Sequence, residues 1–113
     1  MATHAPILRR EDGLIDWARD AGEIERMTRG FQPFPLAHTT HGGRRLTLWS
    51  AEVIDRDGRT PGEIIEARGD DLVVACAAET ALRFIEVQPE GKRRMGVRDW
   101  LNGAHVAAGE RLG

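Results

Sequence analysis

Lys92, Arg93 and Arg94 stand in a row behind the turn-forming residues Pro89, Glu90 and Gly91. Three adjacent cations on one short loop repel each other unless an anion sits opposite, and a phosphate backbone is the usual partner of such a cluster. Arg98 follows closely, and two pairs, Arg9-Arg10 and Arg44-Arg45, complete the basic candidates. Nearly all of this charge is arginine, Lys92 being the one lysine, and arginine suits bidentate phosphate contacts. Each candidate also has an ordinary reading. Arg44 and Arg45 follow a Gly42-Gly43 turn and would equally solvate a strand end. Arg9 and Arg10 would equally pair with Glu11 and Asp12. Arg93 or Arg94 would merely anchor the loop by bridging to Asp99 or Glu90. The arginine excess itself is equally well explained by genome composition.

Catalytic and metal chemistry have less support. The histidines are His4, His38, His41 and His105, with no cysteine or carboxylate at metal-ligand spacing. His38 and His41 lie three apart and have opposite parity if extended, which argues against shared ligation. They are read as surface histidines, and no metal is expected. No GxSxG, HExxH or phosphate-binding glycine loop occurs. The acidic pairs Glu11-Asp12 and Asp70-Asp71 are read as solvated turn or cap residues. Nothing assembles a nucleophile, a base and an orienting group, so the chain alone is expected not to catalyse. Trp17, Trp49 and Trp100 could stack on bases but lie in apolar settings that suit a core. With no Tyr and three Phe, few aromatics remain for exposed bases, so any RNA contact is expected mostly at backbone and shape.

The chain of 113 residues suits one domain. Residues 1–14 are read as a linker or tail and residues 15–113 as the domain. With 41% hydrophobic residues a single core is feasible. No apolar run approaches the roughly 20 residues of a membrane span, and no signal peptide is visible. The net charge of −2 does not by itself favour nucleic acid, although only a contact face has to be positive. Cys76 is the lone cysteine and sits in the apolar run LVVACAA, so it is read as a buried, inert thiol. A cytoplasmic protein is expected.

These cations must be held by a small set of elements. Residues 20–30 read as a helix, with Asp20 as its cap, Glu23 three residues on, and Ile24, Met27 and Phe31 along one face. Gly30 stops it, and Pro33 and Pro35 prevent it from resuming. Strands are expected over residues 36–41, 44–54, 63–67, 72–76 and 81–87, and a short helix over 97–102. In the second strand Leu46 and Leu48 share one parity while Trp49, Ala51 and Val53 share the other, which demands a bulge or a sharp coil. The sum is a mainly β fold, a small OB-like or Greek-key barrel with one preceding helix and a short C-terminal helix. A half-open sandwich is the competing architecture. Ile24, Met27, Leu46, Leu48, Val73 and Phe84 are expected in the core.

Six motifs, in order, resemble the C-terminal domain of methionyl-tRNA formyltransferase. They are Ile15-Asp16-Trp17, residues 29–35 (RGFQPFP), residues 44–49 (RRLTLW), Pro61-Gly62, Val74-Ala75-Cys76 and residues 87–95 (VQPEGKRRM). The resemblance runs over nearly the whole chain. It departs at Ile7, where the family often has a linker lysine, at Phe34, usually Trp, and at Leu36, commonly Gly. It implies a small barrel that helps hold the initiator tRNA through its phosphate backbone. It also implies an N-terminal catalytic domain, which carries the folate site and the catalytic groups and has no counterpart here. No cofactor is therefore expected on this chain, and no membrane partner. The tRNA contacts are expected at Lys92, Arg93, Arg94 and Arg98, with Arg9, Arg10, Arg44 and Arg45. The alternative is an interaction or scaffold barrel docking on the catalytic domain of a related formyltransferase, because formyltransferases for sugar nucleotides or formyl-folate carry similar second domains.

Overall fold

The computed structural model describes residues 9–55 and 60–113. Ile7 and His4 lie outside the described residues, as do residues 56–59. After a 3-10 turn, Arg10–Gly13, come α1 (Ala21–Gly30), β1 (Ala37–His41), β2 (Arg44–Asp55), β3 (Ile64–Arg68), β4 (Asp71–Ala75), β5 (Thr80–Pro89), β6 (Met95–Gly96) and α2 (Val97–Gly103). The strands form one antiparallel sheet in the order β1-β2-β5-β4-β3, with β6 added to β5.

The helix forms where its capping signal lies. The Asp20 carboxylate accepts the Glu23 N–H at 2.9 Å, satisfying one of the first-turn donors that have no intrahelical partner. The reciprocal half of the expected capping box is absent, because the Glu23 carboxylate pairs with Arg19 instead, at 2.9 Å. The helix start is tied to the sheet by the Ala21 N–H, which donates to the Thr80 hydroxyl at 2.8 Å. Ile24 is fully buried, worth about 1.5–3 kcal/mol in apolar burial. Met27 is only half-buried, at the edge of the core. Thr28 takes the buried place instead, its hydroxyl donating to the Glu25 carbonyl at 2.7 Å. A threonine bonded to its own helix can be buried at little cost, which a reading by hydrophobic period overlooks.

The parity change in β2 is a real bulge. The β2–β5 register slips on both sides of Ser50, between Leu48 and Ala51. Leu46 and Leu48 face the core before it, and Ala51 packs on the core after it. Val53 does not follow, being 44% exposed near the strand end. The core gathers Trp17, Ile24, Leu46, Leu48, Leu72, Val74, Leu82, Phe84 and Val87. Trp17 stacks on Phe84 at 6.2 Å, with its indole N–H donating to the Thr39 hydroxyl at 3.2 Å.

The expected barrel does not close: the sheet is open, because β1 and β3 do not pair. The C-terminal segment occupies the gap between them. Gly109 and Leu112 N–H groups donate to the Ile64 and Gly62 carbonyls at 2.8 and 2.9 Å, and the Gly113 N–H donates to the Thr40 carbonyl at 2.9 Å. Leu112 is buried there. Earlier along the same β1 edge the Ile15 N–H donates to the His38 carbonyl at 2.8 Å, so residue 15 and the C-terminal segment together cover the two edge strands.

Leu36 opens β1 with a φ of 69°, in the left-handed region that favours glycine. Gly13 packs so closely beneath it that a Cβ would stand 2.0 Å from the Leu36 carbonyl oxygen. The 3-10 turn is thereby pressed onto the start of the sheet.

Candidate nucleic-acid interface

The long β2–β5 pairing brings two of the basic clusters together. Leu46 lies opposite Pro89, so Arg44 and Arg45 at the start of β2 stand beside the turn that follows β5. The Glu90 N–H donates to the Arg45 carbonyl at 2.9 Å. In return the Arg45 N–H donates to the Glu90 carboxylate at 3.0 Å. That backbone donor first, and then the Arg44 and Arg45 charges, hold the Glu90 carboxyl below its usual range.

The loop after it is fixed by its backbone. Gly91 takes a φ of 76°, and the Lys92 N–H closes the turn onto the Pro89 carbonyl at 3.0 Å. The Gln88 amide donates to the Lys92 carbonyl at 2.9 Å and accepts the Trp49 indole N–H at 2.9 Å. A held backbone leaves Lys92 and Arg93 exposed, and neither side chain has an ion pair among the described residues.

Arg94 differs. Its guanidinium donates to the Glu86 carboxylate at 2.6 Å and lies over the Trp49 ring, 4.5 Å from the centroid. The hydrogen bond to Arg94 is the main reason that the Glu86 carboxyl falls below its usual range. The anchoring reading therefore holds in kind for Arg94, but with Glu86 in place of Asp99 or Glu90. Trp49, expected in the core, is half-buried and serves as the platform under Arg94. Arg98 makes two bonds to Asp70 at 2.8 Å each. Asp70 sits in the β3–β4 turn, so the Arg98 charge is already matched. That hydrogen bond lowers the Asp70 carboxyl. Its neighbour Asp71 pairs with Arg83 at 3.1 Å.

Arg9 and Arg10 also divide. The Arg9 N–H donates to the Asp12 carboxylate at 2.8 Å, and its guanidinium lies 4.0 Å from Glu11. Arg10 is exposed and, with Arg45, lines a groove of about 210 Å³. A second groove of about 280 Å³, on the other side of the 88–91 turn, has Arg44, Arg45 and Lys92 on its rim and Leu46, Met95 and Trp100 among its walls. Arg10, Arg44, Arg45, Lys92 and Arg93 thus gather around one turn, while Arg9, Arg94 and Arg98 spend their charge within the domain.

The other chemistry-bearing groups have structural places. His38 is buried, its Nδ1 3.3 Å from the Leu36 carbonyl oxygen. His41 is half-buried, 3.2 Å from Glu110 and edge-on to Trp100 at 5.5 Å. Neither is the surface histidine expected, because residues 13–15 cover His38 and the C-terminal segment covers His41. Burial, with Asp20 nearby, pushes the Cys76 thiol up to about 12. Among the described residues no three His, Cys, Asp or Glu side chains gather as metal ligands, and no helix is long and apolar enough to cross a membrane.

Known proteins match this chain over nearly all its length. It is 46% identical over 111 residues to methionyl-tRNA formyltransferase of Magnetococcus marinus, covering 98% of this chain and 35% of that protein. It is 41% identical over 113 residues to the Bacillus subtilis enzyme of the same name, covering 99% of this chain and 36% of that protein. The chain thus spans about a third of the length of these relatives. Among solved structures, HypX from Aquifex aeolicus in complex with tetrahydrofolic acid superposes with a TM-score of 0.66 at 16% identity, over 83% of this chain and 17% of that one. That likeness speaks for the fold. The family described as "Formyl transferase, C-terminal domain" matches residues 7–105. With the six motifs in order, the sheet and the identities to whole enzymes agreeing, the chain belongs to the formyl transferase C-terminal domain family.

Proposed function

We propose that this chain is the tRNA-holding domain of a methionyl-tRNA formyltransferase. It works beside an N-terminal catalytic domain that performs formyl transfer in the cytoplasm. The observation that carries the reading is the division among the cations. Arg94 and Arg98 are matched by Glu86 and Asp70, while Lys92, Arg93, Arg44 and Arg10 have no ion pair among the described residues and cluster at one end. An unmatched cationic face on a chain of net charge −2 suits a polyanion. Its role is positional: phosphate contacts fix the register and orientation of the acceptor arm so that the methionyl amine reaches the catalytic domain. The relatives, methionyl-tRNA formyltransferases by name, support the substrate.

The test uses the two-domain enzyme carrying Arg44→Ala, Lys92→Ala and Arg93→Ala. The apparent KM for methionyl-tRNA should rise roughly 10-fold or more, since each 1.4 kcal/mol of lost charge-assisted contact is a factor of ten. The KM for formyl-folate should stay at the parent value. An unchanged tRNA KM refutes the reading.

The second reading is the scaffold that docks on a catalytic domain. Salt separates the two readings, because phosphate contacts weaken steeply with salt and an apolar dock does not.

A further inference from the structure

The chain has no Tyr and three Phe, yet one of these stands in the open next to the cations. Phe34 is 54% exposed and lines the groove that Arg10 and Arg45 also line. Among the described residues its ring contacts no other ring or cation. A single exposed apolar side chain is ordinary. An exposed ring on the wall of a small groove with two arginines is the combination that binds single-stranded nucleic acid.

We propose that the groove between residues 34–36 and the 88–91 turn holds one unpaired nucleotide, its base stacked on Phe34 and its phosphate met by Arg10. This rests on the reading that the chain binds tRNA, and adds to it a contact with a base. Three features define the ligand. The volume, about 210 Å³, lies below the roughly 300–1,000 Å³ of drug-sized sites, so one base fits and a stack of several does not. The Gln88 amide, which could otherwise read a base edge, is committed at both ends to Trp49 and Lys92. Recognition is therefore by stacking with little sequence preference, and purines are favoured for their larger faces. Glu90 lines the same groove as an ionised carboxylate, held by the Arg45 N–H and offset by the Arg44 and Arg45 charges, so Arg10 is the cation left to meet the phosphate. A duplex cannot present such a base without unpairing it.

The experiment measures, by fluorescence anisotropy at low salt, binding of a labelled eight-nucleotide oligoadenylate and of an RNA duplex of equal length. The chain is compared with Phe34→Ala, Phe34→Leu, Phe34→Trp and the Arg44→Ala, Lys92→Ala, Arg93→Ala variant. Circular dichroism confirms that each is folded, which the exposure of Phe34 favours. Removing the ring should weaken single-strand binding roughly 5- to 150-fold, as loss of one stacked base does elsewhere, and leave duplex binding unchanged. Phe34→Leu should behave like Phe34→Ala, and Phe34→Trp should bind at least as well as the parent. The triple variant should weaken both ligands. If Phe34→Leu binds the single strand as the parent does, the nucleotide site is refuted, while the proposed function stands as long as the triple variant still loses affinity. If Phe34→Leu instead loses only its association with a separately expressed N-terminal formyltransferase domain, the exposed ring is a protein contact and the proposal is wrong. If the parent binds neither RNA, both the nucleotide site and the tRNA reading fall.

Discussion

Lys92 and Arg94 stand two residues apart and have opposite fates. Arg94 is held by Glu86 and Trp49, whereas Lys92 projects from a turn whose backbone is held by Pro89 and Gln88. The basic triplet was plain in the sequence, but which members stay free was not. The partners that decide it are Glu86, eight residues back, and Asp70, 28 residues from Arg98. Strand register and a distant turn choose those partners, and no local pattern announces them. The paired carboxylates make a prediction in acid. Asp70 and Glu86 have folded pKa values below their ordinary ones because Arg98 and Arg94 hydrogen-bond the charged form. A carboxyl lowered by folding adds stability that is fully present above its unfolded pKa of about 4 and is lost as pH falls through the folded value. Melting temperature should therefore be level from pH 7 to about 5 and fall below about 4. The Arg94→Ala, Arg98→Ala double variant should show a shallower acid fall in thermal melts, and an identical acid limb in parent and variant would contradict this account.

Among the elements, α1 was the most legible, because a cap, a hydrophobic period and a glycine-proline stop all coincide between Asp20 and Pro35. The β2 bulge was legible from the parity conflict alone. The two-residue strand β6 was not, since Met95 and Gly96 carry no period and pair only because β5 offers them an edge. The exposure of Phe34 was equally hidden: at i+10 from Ile24 it continues an apolar series, yet the chain has already left the helix. Ile24 is the helix's fully buried anchor. Ile24→Asp should destabilise the domain by several kcal/mol, since an aspartate there would be an unpaired buried charge. A denaturant midpoint equal to the parent's would contradict the packing of α1 on the sheet.

At the scale of the molecule, strand number was read correctly enough to suggest a barrel, and closure was not. Whether β1 meets β3 depends on what fills the gap, and the filler is the C-terminal segment, which has no strand pattern of its own. It is held by main-chain bonds to Gly62, Ile64 and Thr40 and by the buried Leu112. Leu112→Ala should cost about 2–3 kcal/mol, the lower part of the range for core leucines, because a chain end relaxes more easily. Urea unfolding at unchanged m-value is the measurement, and a loss below about 0.5 kcal/mol would mean that the segment is not part of the core.

The account turns on whether the free cations touch phosphate. The most direct measurement is the affinity of the isolated chain for initiator tRNA at several salt concentrations, in the parent and in the Arg44→Ala, Lys92→Ala, Arg93→Ala variant. Binding should be weak, because the rest of the tRNA surface would belong to the catalytic domain. Log affinity should fall linearly with log salt. The variant's slope should be shallower by about 0.7 to 0.9 for each phosphate contact removed, with affinity lowered at every salt concentration. A variant with the parent's affinity and the parent's slope would contradict the claim that these residues hold the tRNA backbone.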